Sequence, residues 1–276
     1  MKQHSHLTFS VLMSVYFNET PENFILSFDS VVNQTVLPNE IILIKDGPLP
    51  SALNTIINNY KADFPKILKV IDLPHNVGLG KALDIGLNVC NNNLIARMDT
   101  DDICFPERFE KQLAYINIHS DVSVVGCQIE EFNLMPGDLK RYRKLPSSSP
   151  EIDSFSKYRN PVNHPTVLFR KDHVLAAGSY QHMPLFEDYY LWSRMLKLGF
   201  KINNIEEPLL YFRIGNDMVG RRNGYTYVLK ELEFLIAIKN IGFINTMQFI
   251  VSLCCKLPIR MLPKRFLEFV YKSVLR

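Results

Sequence analysis

A chain of 276 residues, 47% apolar and 21% charged, can bury one large core, or a core with an appendage, and has the composition of a globular protein. Its formal net charge of +3 is too small to point to nucleic acid. Five cysteines (Cys90, Cys104, Cys127, Cys254, Cys255) are odd in number and form no C-x-x-C pair, which argues against both a disulfide framework and a zinc ribbon. The opening residues lead straight into an apolar strand with no secretory h-region or cleavage site, so the expected compartment is the cytoplasm.

From residue 8 to about 130 strand-like and helix-like segments alternate. Thr8 to Tyr16 is an apolar strand. Pro21 to Gln34 carries Phe24, Phe28, Val31 and Val32 at helical spacing, with Thr20 as N-cap and Pro21 at the first helical position. Ile41 to Ile44 is a short buried strand, and Asp46-Gly47-Pro48 after it is a turn signal. A helix (Ala52 to Tyr60), a strand (Ile67 to Leu73), a helix (Leu79 to Cys90) and a strand ending at Asp99 follow. Such alternation predicts an α/β fold with a mostly parallel sheet covered by helices. Ligands of such sheets sit beyond the carboxyl ends of the strands, where Tyr16, Asp46, Asn76 and Asp99 all fall. Residues 137–166, rich in Ser, Pro and charge, are expected to be a loop region. A helix from Glu187 to Leu198 and a strand from Lys201 to Arg213 come next, and three helical stretches (225–241, 244–256, 263–275) close the chain.

Asp99, Thr100, Asp101 and Asp102 concentrate three carboxylates at one strand end. Packed acids repel and bury badly without a partner, and a hard divalent cation is the natural one. On the residues alone, a metal site and a turn or helix cap before Pro106 stay equally open. An EF-hand does not fit, because Ile103 and Cys104 occupy its ligand and glycine positions. The glycines after Asn76 do not make a dinucleotide fingerprint either, since Leu83 stands where the third is required. An aspartyl phosphatase using Asp99, or an inactive sugar-nucleotide-binding protein, remain as rival readings.

Taken together, the segments Ser14-Val15-Tyr16 with Glu19, Ser30 to Thr35, Glu40 to Gly47, Asn76 to Leu83, Arg97-Met98-Asp99-Thr100-Asp101-Asp102 with Pro106 and Arg108, and Glu187-Asp188 resemble the family 2 glycosyltransferases, inverting enzymes of the GT-A fold. The resemblance covers roughly residues 8–213. It implies a catalytic domain over 1–215, with a donor-binding half at about 8–130 and an acceptor half at about 131–215, followed by a helical extension over 216–276. It assigns Tyr16, Glu19, Asp46, Asn76, Gly78, Lys81, Arg97 and Asp99 to the donor nucleotide-sugar, with Asp46 on the uracil, and Asp101 with Asp99 to Mn²⁺ or Mg²⁺. Lys45 departs from the family pattern, where many members have a second Asp. Asp188 becomes the general base, and His164, Glu187 and Trp192 candidates for the acceptor, although acids in a first helical turn are also favoured by the helix dipole and Trp192 has the spacing of a core residue.

The stretch Lys256 to Arg276 holds six basic residues (Lys256, Arg260, Lys264, Arg265, Lys272, Arg276) against one acid, Glu268, interleaved with apolar side chains. A basic amphipathic helix of this kind rests on an anionic membrane or packs on its own domain. The expectation is thus a peripheral enzyme at the inner face of a bacterial plasma membrane. It would transfer a hexose, glucose or galactose, from a UDP-sugar to a lipid-diphosphate-linked saccharide in surface polysaccharide (O-antigen, lipopolysaccharide) synthesis.

Overall fold

A computed structural model describes residues 7–215 and 223–262. Four parallel strands begin the fold: β1 (Phe9–Val15), β2 (Glu40–Lys45), β3 (Leu68–Asp72) and β4 (Leu94–Asp99), in the order β3-β2-β1-β4. β1, β2 and β4 are apolar on both faces because helices cover both, the usual condition of a parallel sheet. On one face α1 (Pro21–Val32), α2 (Ser51–Asp63) and α4 (Arg108–Ile118) bury Phe24, Phe28, Leu53 and Phe109 against Val11, Met13, Leu43 and Met98. On the other, α3 (Leu79–Val89) and α7 (Glu187–Lys197) bury Leu83, Leu87, Leu191 and Trp192 against Leu12, Ile42, Ile44 and Ile95. Thr20 caps α1 by accepting from the Asn23 amide (3.2 Å), with Pro21 opening the helix as its fixed φ allows.

Beyond β4 the sheet changes direction. β8 (Leu168–Arg170) pairs antiparallel with β4 and with β6 (Val122–Phe132), β6 pairs parallel with β9 (Lys201–Arg213), and the short β5 (Ile103–Cys104) completes the edge. The expected loop at 137–166 is more ordered than its composition predicts. It contains β7 (Arg141–Arg143), α5 (Ser149–Ser156) and a 3₁₀ turn at His164–Thr166. α5 is opened by a capping box in which Ser148 and Glu151 satisfy each other's ends, a short-range signal inside the Ser/Pro run. A six-residue helix, α6 (Lys171–Ala176), follows β8.

α8 (Tyr225–Asn240) and α9 (Thr246–Arg260) share a third core with α7, built on Phe186, Tyr189, Tyr227, Phe234 and Ile238. The C-terminal helices that are described therefore pack on the catalytic unit. The third expected helix, with Lys264, Arg265, Lys272 and Arg276, lies outside the described residues. Among the described residues no helix is long and apolar enough to cross a membrane, and all five cysteines are free, Cys254 and Cys255 exposed.

Candidate active site

The carboxyl ends of β1, β2 and β4 converge, and the loop after β4 is held from three sides. The Ser27 hydroxyl donates to the Asp99 carbonyl (2.8 Å), the Thr100 hydroxyl donates to Glu19 (2.6 Å), and the Cys104 amide donates to the Ser30 hydroxyl (3.0 Å). Arg213, at the end of β9, closes the fourth side. Its amide donates to an Asp102 carboxylate oxygen (2.8 Å) and its Nε to the Asp101 carbonyl (2.9 Å), while its guanidinium stacks on Phe132.

Held this way, Asp99, Asp101 and Asp102 bring one carboxylate oxygen each to within 4.8 Å of one another. Burial, then the neighbouring Asp99 and Glu19, push the Asp101 carboxyl up to about 7, and burial, then Asp101 and Asp99, raise Asp102 well above the usual range. The second Asp102 oxygen is buried without a hydrogen-bond partner. An all-oxygen set carrying this much mutual repulsion suits a hard divalent cation. Arg97, fully buried on β4, forms an ion pair with Asp99.

Asp46 follows β2 and is buried, and it accepts from Asn76 Nδ2 (3.0 Å) and from the amides of Val77 (2.7 Å) and Gly78 (3.1 Å). These bonds fix the 76–78 loop over the strand ends. Gly47, at φ +90°, passes so close that a Cβ there would lie 2.7 Å from the Asn76 nitrogen. Gly78 is also at positive φ and opens α3, whose first turn carries the exposed Lys81. Lys45 is paired with its register partner Asp72 on β3. Tyr16 is 39% exposed beside the cleft, edge-on to Phe17.

Asp188 stands in the first turn of α7. One of its oxygens accepts from Asn160 Nδ2 (2.6 Å) and the other from the Tyr189 amide (2.7 Å). Asp188 and Asp99 line one cavity of about 360 Å³, together with His164 and Asn163. A wider hollow of about 500 Å³, between Asn39 and Asn92, lies at the amino ends of the strands, away from the acids. His164 shares a hydrogen bond with the Tyr180 hydroxyl (2.9 Å), and burial, then Arg97, hold its ring well below the usual histidine range, so it is neutral.

Two acceptor candidates fall elsewhere. Trp192 is fully buried in the core under β4 and has no surface on which a sugar could stack, because its position on α7 faces the sheet. Glu187 turns toward Gly80 at the start of α3, where a Cβ would meet its Cγ at 2.7 Å, and burial there pushes its carboxyl up to about 7. Asn160 and Arg213 are residues that sequence reasoning missed, since each acts through a partner 28 or about 110 positions away.

A layered α/β sheet with a triple-acid loop at its topological switch point and a second acid across the cleft defines a nucleotide-sugar transferase of the GT-A type. The profile described as Glycosyl transferase family 2 matches residues 10–178, and the chain belongs to that family. It is therefore a glycosyltransferase, and the phosphatase reading of Asp99 is set aside. It is 40% identical to the amylovoran biosynthesis glycosyltransferase AmsE of Erwinia amylovora, over 96% of this chain and 98% of that one. With the UDP-Gal:α-D-GlcNAc-diphosphoundecaprenol β-1,3-galactosyltransferase of Escherichia coli it shares 35% identity, over 97% and 96%. Among solved structures, that of S. aureus TarS 1-349 in complex with UDP-GlcNAc superposes with a TM-score of 0.66 at 19% identity, over 92% of this chain and 72% of that one.

Proposed function

We propose that this protein transfers a hexose, galactose or glucose, from a UDP-sugar to a saccharide carried on a lipid diphosphate, in exopolysaccharide or O-antigen synthesis, with inversion at the anomeric carbon. The observation that supports it best is that Asp99 and Asp188 line the same cavity from opposite elements, β4 and α7. The names of the relatives, one for amylovoran synthesis and one for a GlcNAc-diphosphoundecaprenol acceptor, supply the substrate class.

In this reading Tyr16, Glu19, Asp46 and Asn76 border the nucleoside, and Gly78 and Lys81 border the diphosphate at the N-terminus of α3. Asp99 and Asp101 would hold Mn²⁺ or Mg²⁺. A cation bound there supplies positive charge against the charge that grows on the departing diphosphate. Asp188 takes the proton of the acceptor hydroxyl as its oxygen attacks C1 from the face opposite UDP. Asn160 and the Tyr189 amide fix both carboxylate oxygens, so that the base meets the hydroxyl in one orientation. Arg97 neutralises Asp99 from within the sheet, and neutral His164 offers a polar edge to the acceptor.

Peripheral membrane contact is assigned to the outer face of α9, where Met247, Ile250, Val251, Cys254 and Cys255 are exposed. Asp188→Asn tests the base. General-base catalysis is worth typically ~10²–10⁴-fold, and turnover is expected to fall by about that factor with UDP affinity unchanged. Turnover within a few-fold of wild type would remove Asp188 from the role.

A further inference from the structure

β6 and β7 are joined by a loop, residues 133–140, whose tip is apolar and exposed. Leu134 is 79% exposed, Met135 65% and Leu139 39%, with Pro136 exposed among them. Single apolar side chains at a surface are ordinary, but three large ones within six positions make a patch. The backbone beneath them is closed on itself. The Asp138 carboxylate accepts from the amides of Leu134 (2.8 Å), Asn133 (3.1 Å) and Met135 (3.4 Å), and the Asp138 amide donates to the Met135 carbonyl (3.2 Å). These carboxylate bonds, that of the Leu134 amide first, hold the Asp138 carboxyl below its usual range, so the cage stays closed at neutral pH. At its base the loop is tied down by the Ile214 amide on the Phe132 carbonyl (3.0 Å) and by Arg213 Nη1 on the Asn133 carbonyl (3.4 Å). The tip thus turns its amides inward and its apolar side chains outward, as insertion into a medium of low dielectric demands.

The chemistry behind the tip says what covers it. The chain continues Lys140-Arg141-Tyr142-Arg143-Lys144, and Asp138 is the one acid in 133–144. Arg141 is spent on Glu131, whereas Lys140 and Lys144 are exposed, as is Tyr142. Three apolar side chains fall far short of the roughly 800 Å² per partner that a stable protein interface buries, and lysines are depleted from such interfaces. A shallow apolar insertion backed by lysines suits an anionic lipid surface, where small apolar and electrostatic contributions add. The position agrees. Glu131 of β6 and Arg143 of β7 line the cavity of Asp188. Leu134 is three residues beyond Glu131, so its Cα lies within about 11 Å of that wall. α9, with its own exposed apolar face, lines the same cavity through Lys256 and Ile259. On the reading that the acceptor rides on a lipid diphosphate, we propose that the 133–140 loop is a second membrane contact. Leu134 and Met135 enter the acyl-chain boundary of an anionic bilayer and Lys140 and Lys144 rest among its headgroups, which brings the cavity to the surface from which its acceptor comes.

The test reads the contact at the residue itself, in the full chain. Trp192, the chain's one tryptophan, is fully buried and gives a constant background. In Leu134→Trp, vesicles of equal parts phosphatidylglycerol and phosphatidylcholine shift the added emission to the blue, and brominated acyl chains quench it. The control is Ile118→Trp, at a residue 75% exposed just before β6. The eleven residues of β6, about 36 Å of strand, separate it from the loop, and it is neither shifted nor quenched. Replacing Leu134 and Met135 together by Asp lowers co-sedimentation with the same vesicles about tenfold, since the apolar insertion is lost at both. Transfer to a lipid-diphosphate acceptor embedded in those vesicles falls by a similar factor. Transfer to a short-chain, water-soluble acceptor and the melting temperature stay at wild-type values, because the two side chains are exposed and touch no substrate. An unquenched Leu134→Trp, equal quenching of Ile118→Trp, undiminished sedimentation of the double variant, or equal binding to phosphatidylcholine alone each overturns the contact. Quenching of Leu134→Trp in a protein that transfers to no lipid-diphosphate acceptor overturns the proposed function instead, and leaves the contact standing.

Discussion

At the residue scale, Asp101 shows what crowding three acids does at the proposed cation site. Its carboxyl, pushed up to about 7 by burial and then by Asp99 and Glu19, holds a proton that an ordinary aspartate releases near 4. The folded state therefore binds more protons than the unfolded chain between roughly pH 4 and 7, and this group's contribution to stability declines as pH rises through that window. A divalent cation must displace the same proton, so its affinity rises with pH up to about 7 and levels off above. Melting scans at pH 6 and pH 8 with and without Mn²⁺ check this, with the larger upward shift expected at pH 8. An equal shift at both values would detach Asp101 from the metal. Asp46 shows the opposite device, a buried carboxylate saturated by donors of one loop.

At the element scale, β6 and its neighbours position the segment that holds Asp188. Asn204 on β9 donates to the carbonyls of Pro146 (2.7 Å) and Pro161 (2.9 Å), tying both ends of the α5 segment, and with it Asn160, to the sheet. Gly126 on β6 leaves room for it, since a Cβ there would lie 2.3 Å from the Asn204 side-chain oxygen and 3.3 Å from the Thr166 hydroxyl. Gly126→Ala is expected to displace Asn204 and cost about 1–3 kcal/mol, the penalty of overpacking and of stranded polar groups. Chemical denaturation reads this as a lower midpoint, and kcat falls with it because Asp188 loses its fixed partner; an unchanged midpoint would show that Asn204 is not a tie. The same strands mark where the sequence stops being legible. β1 to β4 announce themselves as apolar runs between turn signals. β6 mixes Ser123, Gln128, Glu130 and Glu131 into an entirely buried strand. Its polar side chains are satisfied by distant partners, Gln128 by the Leu145 backbone and Glu131 by Arg141, and no local pattern reveals them.

At the scale of the whole molecule, the triple-acid loop was legible because three acids in four positions are expensive to hold together, whereas the partners that aim them were not. Of the two alternatives expected for the C-terminal region, Lys256 and Arg260 follow the one in which the helix packs on its own domain. They turn inward onto Glu231 and not toward a lipid surface, because a buried carboxylate on α8 outcompetes solvent for them. The outward stripe of α9 is apolar instead, with Met247 67% and Ile250 47% exposed. Replacing Ile250 and Val251 by Asp is expected to reduce co-sedimentation with phosphatidylglycerol vesicles several-fold while leaving the melting temperature near its wild-type value. Undiminished sedimentation would move membrane contact elsewhere in the chain.

The direct pairing of β8 with β4 has a mechanical corollary. The turn bearing His164 is laced by main-chain hydrogen bonds to the very strand that ends in Asp99, so the floor beneath both reactants is a single stiff plate. On the proposed reading, donor and acceptor are seated on one hydrogen-bonded sheet, so the distance between Asp99 and His164, set by backbone pairing, becomes the gauge of which sugars fit between them.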